Sequence, residues 1–336
     1  MDTPLISIIL PTYNRCEMLR GALECLLHQE TNDQFTYEII VVDNASSDAT
    51  KTVVEEVAAT SPVPVRYFYQ TIPGDGATRN CGIAHAQGMW LAFVDDDELA
   101  APDWLRQLFQ AAQETASPIV GGAVHLNLPE ETLAQLSRFV RATSLREIDY
   151  YATVHPYTGK RLPGTGNALV AKHVMDTIGI FDASKICGES DSDFFMRARS
   201  RGVALYYTPH AIVKHRVAPN RLTVDYFRWD AQQGCNAFAG LDYKFKGPLK
   251  LSMLCIARLG HAALVVVPKL VWGWIRRDSA EVLGQRVRLW RTEGYVRRTL
   301  AILAPALFPQ TNYFADLEFR RGRVVGKQTV AAEAVA

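Results

Sequence analysis

The first 126 residues alternate short apolar runs with longer stretches of helical spacing. Strands are predicted at residues 5–10, 37–42, 65–69, 90–94 and 119–126, and helices at residues 15–28, 49–60, 77–88 and 102–115; beyond these, a helix is predicted near residues 131–142 and a strand at residues 203–208. Strands that alternate with helices form βαβ units, which build a mostly parallel sheet with helices on both faces. The sequence therefore predicts an α/β protein with a Rossmann-like central sheet.

Charge is distributed unevenly along the chain. Residues 1–240 contain 20 Lys and Arg against 28 Asp and Glu, whereas residues 241–336 contain 16 against 7. An acidic body followed by a basic tail indicates that the two parts meet different partners. The six cysteines form no Cys-x-x-Cys pair, which disfavours a zinc site or a disulfide framework. The N-terminal residues lack the pattern of a signal peptide, so we expect the acidic body to stay where it is made.

Four consecutive carboxylates, Asp95 to Glu98, follow the strand predicted at residues 90–94. Like charges this close repel one another unless a cation neutralises them, and oxygen ligands suit magnesium or manganese. Residues two apart on an extended segment share a face, so Asp95 and Asp97 are expected to point together, in a DxD arrangement, while Asp96 points away. The alternative is a solvated acidic turn before the next helix.

Three more loops after predicted strands are also polar, at residues 11–15, 43–48 and 188–193. Each of them alone is typical of an ordinary turn. Because the carboxyl ends of parallel strands lie at one edge of a sheet, the first two loops are expected beside the acidic run. Three polar loops at one edge favour a binding site.

Separate motifs along residues 5–240 occur in the order found in one enzyme family. They are residues 7–15, 38–48, 77–82, 91–97, 164–167, 181–182 and 189–193, the last running into Arg197 and Gly202. Together they resemble the inverting, nucleotide-sugar-dependent glycosyltransferases of family 2, which have the GT-A fold. Residues 214–223 are similar to a segment of the bacterial succinoglycan-type exopolysaccharide glycosyltransferases.

The resemblance implies a division of the chain into regions. Residues 1–240 would form the GT-A catalytic domain, with a nucleotide-sugar-binding half at 1–126 and an acceptor-binding half at 127–240. Residues 241–325 would form an amphipathic, basic helical tail, and residues 326–336 are expected to be disordered.

The resemblance also implies a role for each matching residue. Uracil and ribose would be surrounded by Pro11, Thr12, Tyr13, Arg15 and Asp43. Arg79 would approach the diphosphate, which suits a guanidinium group. The other implied substrate-binding residues are Asp95, Asp96, Thr165, Gly166, Asn167 and Glu189, and the implied ligands of Mn²⁺ or Mg²⁺ are Asp95, Asp97 and His215. Without the resemblance, His215 is an ordinary loop histidine.

An inverting transfer needs a carboxylate that takes the proton of the attacking acceptor hydroxyl. The resemblance places this base at Asp191, counted back from the segment 194–197. The sequence departs from the family's adjacent Glu-Asp pair because Ser190 intervenes, so Glu189 and Asp193 stay open as alternatives. For Asp193, the preferred interpretation is a helix N-cap.

The tail after residue 240 mixes apolar, aromatic and basic residues. Its longest uncharged stretch is too short to span a bilayer, which needs about 20 apolar residues. Tryptophans near arginines suit the interface between acyl chains and anionic headgroups, so the tail is expected to bind a membrane surface. The alternative is a helical hairpin packed on protein.

The sequence thus predicts a metal-dependent inverting glycosyltransferase, peripheral at the cytoplasmic face of the inner (plasma) membrane. Its donor would be a UDP-sugar, with UDP-glucose first among the candidates, and its acceptor a glycan, in particular a polyprenyl-diphosphate-linked oligosaccharide of polysaccharide synthesis. No nucleic-acid partner is expected. The alternatives are a non-catalytic sugar-nucleotide-binding module and a nucleotidyltransferase, the latter disfavoured because no glycine-rich phosphate loop follows the first strand.

Overall fold

The structure is a computed structural model that describes residues 4–184 and 190–308. The described residues divide into two compact units. Unit 1 comprises the described parts of residues 4–127 and 148–216, and unit 2 comprises residues 128–147 and 217–308. The boundary implied at residue 240 falls inside a long helix of unit 2, and the division into catalytic domain and tail stays a prediction.

Unit 1 is built on a mixed sheet. Its strands are β1 (Ile6–Thr12), β2 (Tyr37–Asp43), β3 (Val65–Tyr69), β4 (Trp90–Val94), β5 (Glu98–Ala100), β6 (Ile119–Leu126), β7 (His155–Pro156), β8 (Asn167–Ala171) and β9 (Leu205–His215). The strand order is β3-β2-β1-β4-β8-β6-β9-β5, with β7 beside β9. Pairing is parallel within β3-β2-β1-β4 and between β6 and β9, and β8 runs antiparallel to both β4 and β6. The predicted α/β class is confirmed, and the predicted parallel order holds for the βαβ half.

Helices cover both faces of this sheet. The helices of the two units are α1 (Cys16–Leu27), α2 (Thr50–Thr60), α3 (Asp75–His85), α4 (Trp104–Thr115), α5 (Glu130–Ala134), α6 (Arg138–Ser144), α7 (Val174–Ile178), α8 (Ser190–Ser200), α9 (Val224–His261), α10 (Val267–Ile275) and α11 (Ser279–Leu303). Alternate residues of β1 enter the two cores: Ile8 packs in the same cluster as Leu23 and Trp104, and Ile9 packs in the same cluster as Ile83 and Phe194. Burial of both faces explains why the strands are almost continuously apolar.

The sheet register brings three strand ends to one edge. Thr12 lies opposite Asp43 in the pairing of β1 with β2, and Ile9 lies opposite Phe93 in the pairing of β1 with β4. The polar residues that follow β2 and β4 therefore lie near the end of β1, as the sequence predicted.

Two strands extend further than predicted. β1 includes Pro11, which pairs with Val42 instead of beginning a loop. β9 continues through Pro209 to His215, so the interpretation of His215 as a loop histidine is wrong. A proline normally argues against a strand interior because it donates no ladder hydrogen bond. Here the register between β6 and β9 shifts after Gly121, and residues 208–211 stand outside the regular ladder.

Unit 2 is helical. The helix predicted near residues 131–142 is two short helices, α5 and α6. A 3₁₀ turn (Pro219–Leu222) precedes α9, which is broken at Gly247, where φ is 77°. This φ lies in the left-handed region that favours glycine, and Pro248 cannot donate to the preceding turn, so both residues act to break the helix. A π-helical segment (Ala262–Val266) joins α9 to α10, and α11 packs on α9 through Tyr295.

The middle of unit 2 exposes apolar side chains. Leu264 is 79% exposed and Trp274 is 64% exposed, and large apolar side chains are also exposed at Leu249, Met253, Ile256, Leu259, Val267, Val271, Trp272 and Ile275. The helical stretch Val224–Ile275 is long and apolar enough to cross a membrane. This differs from the sequence prediction, which counted only uncharged stretches.

Candidate active site

The acidic run forms a turn at the end of β4. β4 ends at Val94, and the N–H of Glu98 donates to the carbonyl of Asp95 at 3.1 Å. The carboxylate of Asp95 pairs with Arg79 at 2.9 Å, whereas Asp96 and Asp97 share Arg15 at 2.8 and 3.1 Å. The negative charge of Asp97 raises the pKa of Asp95, and both carboxylates raise the pKa of Glu98. The expected DxD arrangement of Asp95 and Asp97 therefore stays a prediction, on a turned segment instead of an extended one.

The electrostatics of this turn favour bound cations. Burial raises the pKa of Asp96 to about 6, although Arg15 opposes the shift. Burial also raises the pKa of Asp95, with Arg79 acting against it and Asp97 with it. For Arg15, burial alone would lower the pKa, but Asp96 and Asp97 raise it above its ordinary value. Carboxylates that are this reluctant to ionise together attract any cation that reaches them.

Glu98 belongs to the site, although the sequence analysis did not assign it there. It is buried, it begins β5 opposite His215, and its carboxylate accepts the N–H of Asp95 at 3.1 Å. Burial and then the negative charges of Asp95 and Asp97 raise its pKa well above the ordinary value. Glu98 thus holds the start of the acidic turn. Its sequence signal was the apolar segment that follows it, which predicts burial.

Two more side chains fix the acidic turn. The hydroxyl of Thr12 donates to the Asp96 carboxylate at 2.8 Å. Arg216 donates its backbone N–H to the carbonyl of Asp97 and its guanidinium to the carbonyl of Asp96, both at 2.8 Å. Arg216 was not predicted as a site residue, because nothing in the sequence shows that its side chain turns back to the acidic turn.

His215 and Asp97 form a pair of candidate cation ligands. The Nε2 atom of His215 lies 3.5 Å from the Oδ2 atom of Asp97, and both side chains are buried. Among the described residues, no group of three or more His, Cys, Asp or Glu side chains converges on one point. Mg²⁺ and similar hard cations commonly bind one or two protein carboxylates together with substrate phosphates and water. The Asp97–His215 pair fits such a cation, and the expected role of Asp95, whose carboxylate pairs with Arg79, as a further ligand stays a prediction.

The loops after β1 and β2 are tied together. Asp43 accepts the N–H of Ser46 at 2.8 Å and the hydroxyl of Tyr67 at 2.7 Å. Asn14, at a φ of 49°, accepts the N–H of Ser47 at 2.7 Å. The ring of Tyr13 stands outside this network and is 46% exposed. The carboxylate of Asp43 is thus held in a fixed position, and the ring of Tyr13 in the neighbouring loop is accessible.

Arg79 has a hydrogen-bond donor to spare. Its side chain is buried on α3, and in the described structure its Nε has no hydrogen-bond partner. Burial would lower its pKa, but the carboxylates of Asp95, Asp75 and Asp191 raise it. Buried donors normally find a partner, and a guanidinium pairs well with phosphate oxygens.

α8 carries the two aspartates considered for the base. Asp191 lies in the first turn of the helix, is partly exposed, and is close enough to Arg79 to act on its charge. Asp193 is fully buried inside the helix and pairs with Arg197 at 2.8 Å. The N-cap interpretation of Asp193 is therefore wrong, since α8 already includes Ser190. Glu189 lies outside the described residues.

The segment that contains Thr165, Gly166 and Asn167 plays an internal part. Thr165 is buried, and a Cβ at Gly166 would collide with the Glu98 carboxylate. The amide of Asn167 accepts the indole N–H of Trp104 at 2.8 Å and donates to the carbonyls of Ala123 and Ala211. These contacts join strands behind the acidic turn. Substrate binding by the three residues stays a prediction.

Comparisons with known proteins agree with this architecture. The profile described as glycosyl transferase family 2 matches residues 7–175. Glycosyltransferase AglE of Haloferax volcanii is 27% identical over 216 residues, which cover 64% of this chain and 68% of that protein. The succinoglycan biosynthesis protein ExoM of Rhizobium meliloti is 28% identical, over 66% of this chain and 70% of its own.

One solved structure with a similar fold is the mannosyltransferase PcManGT from Pyrobaculum calidifontis, determined in complex with GDP-Man and Mn²⁺. It superposes with a TM-score of 0.54 at 20% identity, over 91% of this chain and 88% of its own. The fold and the site thus define a GT-A-like enzyme. The chain belongs to glycosyl transferase family 2 and is a glycosyltransferase, as the motifs predicted.

Proposed function

We propose that the enzyme transfers a hexose, with inversion and with a divalent cation, from a UDP-sugar to a polyprenyl-diphosphate-linked glycan. The observation that carries this proposal is the position of Arg79. Its guanidinium pairs with Asp95, keeps an unused Nε donor, and responds to the charge of Asp191. The proposed phosphate-binding group thus has the acidic turn, Asp75 and the candidate base among its charged neighbours.

In the proposed reaction, Asp191 takes the proton of the acceptor hydroxyl while that oxygen bonds to the anomeric carbon. The bond from this carbon to the diphosphate oxygen breaks, and its electron pair leaves with the nucleoside diphosphate. Attack from the opposite face inverts the configuration. Arg79 donates to the diphosphate oxygens, whose charge grows as the bond breaks.

A divalent cation would be held by Asp97 and His215, and it would supply further neutralisation of the leaving diphosphate. The candidates are Mn²⁺ and Mg²⁺. An imidazole ligand suits Mn²⁺ better than Mg²⁺, since Mg²⁺ prefers oxygen and retains its water.

The role in polysaccharide synthesis and the cytoplasmic membrane face are parts of the same proposal. The relative ExoM is a succinoglycan biosynthesis protein, which supports a glycan acceptor. The exposed side chains of Leu264, Trp272 and Trp274, near the basic Lys269, Arg276 and Arg277, support contact with acyl chains and anionic headgroups.

The decisive experiment measures release of nucleoside diphosphate by the full chain with Mn²⁺. UDP-glucose, UDP-galactose and UDP-GlcNAc are tested first, and GDP-mannose is included because a structural relative was solved with it. A synthetic polyprenyl-diphosphate-linked disaccharide serves as acceptor. We expect UDP release that increases with acceptor. Release of GDP from GDP-mannose, with no release of UDP from any UDP-sugar, would overturn the proposed UDP-sugar donor. No release from any donor would favour a non-catalytic binding module.

A further inference from the structure

Two of the groups near the Oδ2 atom of Asp97 differ in kind. Arg15 donates to it through Nη1 at 3.1 Å, and Nε2 of His215 lies 3.5 Å away. The same Nη1 atom also donates to Asp96 at 2.8 Å. One arginine nitrogen therefore bridges two carboxylates of the acidic turn, on the oxygen that a cation bound by Asp97 and His215 would use.

Arg15 is held in this position by its surroundings. Arg15 immediately precedes α1, and the N–H of Leu19 in that helix donates to the Arg15 carbonyl at 2.9 Å. Its side chain is only 18% exposed. A divalent cation at Asp97 and a guanidinium on the same oxygen would repel each other strongly in so dry a site. Binding of the cation thus requires Arg15 to leave Asp97.

Resting on the proposed cation site, we propose that Arg15 is the resident counter-ion of Asp97, so that divalent cation and nucleoside diphosphate bind cooperatively. The diphosphate offers the displaced guanidinium a new anionic partner while Arg15 keeps its contact with Asp96. Without nucleotide, the cation competes with Arg15 and binds weakly. With nucleotide bound, the added negative charge of the diphosphate lets the divalent cation and the Arg15 guanidinium bind at the same time.

The test measures the affinity of the full chain for Mn²⁺ in the absence of nucleotide. Electron paramagnetic resonance reports the concentration of free Mn²⁺ during the titration. Arg15→Met is expected to bind Mn²⁺ about tenfold more tightly than the wild type, a coupling of ordinary size. The matched control is Arg20→Met, which removes an exposed arginine of α1 paired with Glu56 and should leave the affinity unchanged. Equal or weaker Mn²⁺ binding by Arg15→Met would overturn the proposal.

A second measurement begins with the wild type, so its first result does not depend on whether a variant folds. In the wild type, UDP should tighten Mn²⁺ binding by about tenfold, and in Arg15→Met or Arg15→Lys this gain should shrink. Absence of any gain in the wild type contradicts the proposal. Asp97→Asn separates the two hypotheses: if it abolishes Mn²⁺ binding while Arg15→Met changes nothing, the cation site stands and the role of Arg15 fails.

Discussion

The carboxylate of Glu98 accepts the backbone N–H of Asp95 at 3.1 Å and thereby closes the acidic turn on itself. The backbone of Glu98 simultaneously pairs with His215, so one residue connects the start of the acidic turn with the strand that carries His215. The carboxylate has this position only because Gly166 leaves room for it.

Gly166→Ala should therefore impair the enzyme. The new Cβ would collide with the Glu98 carboxylate and displace the N–H of Asp95 that it holds, at a cost of about 1–3 kcal/mol in unfolding free energy. The rate of turnover should fall as well, because the acidic turn loses this support. The control is Gly164→Ala, whose Cβ would lie 3.7 Å from Ile148 and should change stability by no more than about 0.5 kcal/mol. Thermal unfolding and donor hydrolysis measure both, and a fully active Gly166→Ala would contradict the role of Glu98.

Asp191→Asn should abolish glycosyl transfer and leave the affinity for UDP nearly unchanged, because the amide keeps its shape and cannot take a proton. Asp193→Ala should behave differently. It leaves Arg197 without its buried partner and should lower the unfolding free energy by on the order of 3 kcal/mol. Calorimetric titration with UDP and a transfer assay separate the two effects. If the Asn variant at 191 stays active, the base lies elsewhere on α8.

Asp48→Ala should destabilise the βαβ half. Asp48 accepts the N–H groups of Cys16 and Thr50, at the starts of α1 and α2, and loss of such a contact costs about 1–2 kcal/mol. Burial opposes ionisation of Asp48, but the hydrogen bonds from Thr50 and Cys16 prevail and lower its pKa below the ordinary 3.8.

This shift sets the pH dependence of the Asp48 contribution. Because the folded pKa is the lower one, the stabilisation is complete above 3.8 and is lost as the pH falls through the folded value. We measure the free energy of unfolding of the wild type and of Asp48→Ala with urea across acidic pH. The two free energies should converge only at the lowest pH. A difference that grows towards low pH would contradict the assignment.

Replacing Trp272 and Trp274 together by alanine should weaken binding to vesicles that contain anionic phospholipid by about tenfold. Both side chains are more than half exposed, so folding should be unaffected. Met89→Ala in unit 1, equally exposed, is the control and should bind like the wild type. Co-sedimentation gives the answer, and unchanged binding of the double variant would refute the membrane role. A chain ended at residue 240 would be a poor test, since it cuts through α9.

Hydrophobic patterning predicted most of the sheet. The bounds of β3, β4 and β6 agree with the sequence, because each is a mainly apolar run between polar breaks, interrupted only by Arg66 in β3 and His125 in β6. The strand β9 was predicted to end before Pro209. The rule that proline disfavours a strand interior is local, so it cannot foresee the register shift between β6 and β9 that accommodates this proline. The antiparallel entry of β8 between β4 and β6 was likewise beyond a pattern that reads neighbours along the chain.

The candidate site was predicted in its membership more than in its geometry. Thr12, Asp43, Arg79 and the acidic run do meet at one sheet edge. The partners of the long side chains could not be foreseen: Arg15 joins Asp96 and Asp97, although it was expected around the nucleoside. A flexible guanidinium takes its direction from tertiary surroundings that only the folded chain supplies.

The late position of β9 in the chain affects how the enzyme comes into being. β1 to β4 are complete when residue 94 has been made, yet the acidic turn needs His215 opposite Glu98 and Arg216 on its carbonyls. A nascent chain grows from its N-terminus and folds as its contacts become available. We therefore expect the nascent protein to pass through a stage in which β1 to β4 are folded but the acidic turn is not yet formed and does not bind its ligand. Binding then arises in one step when the ribosome has released residue 216.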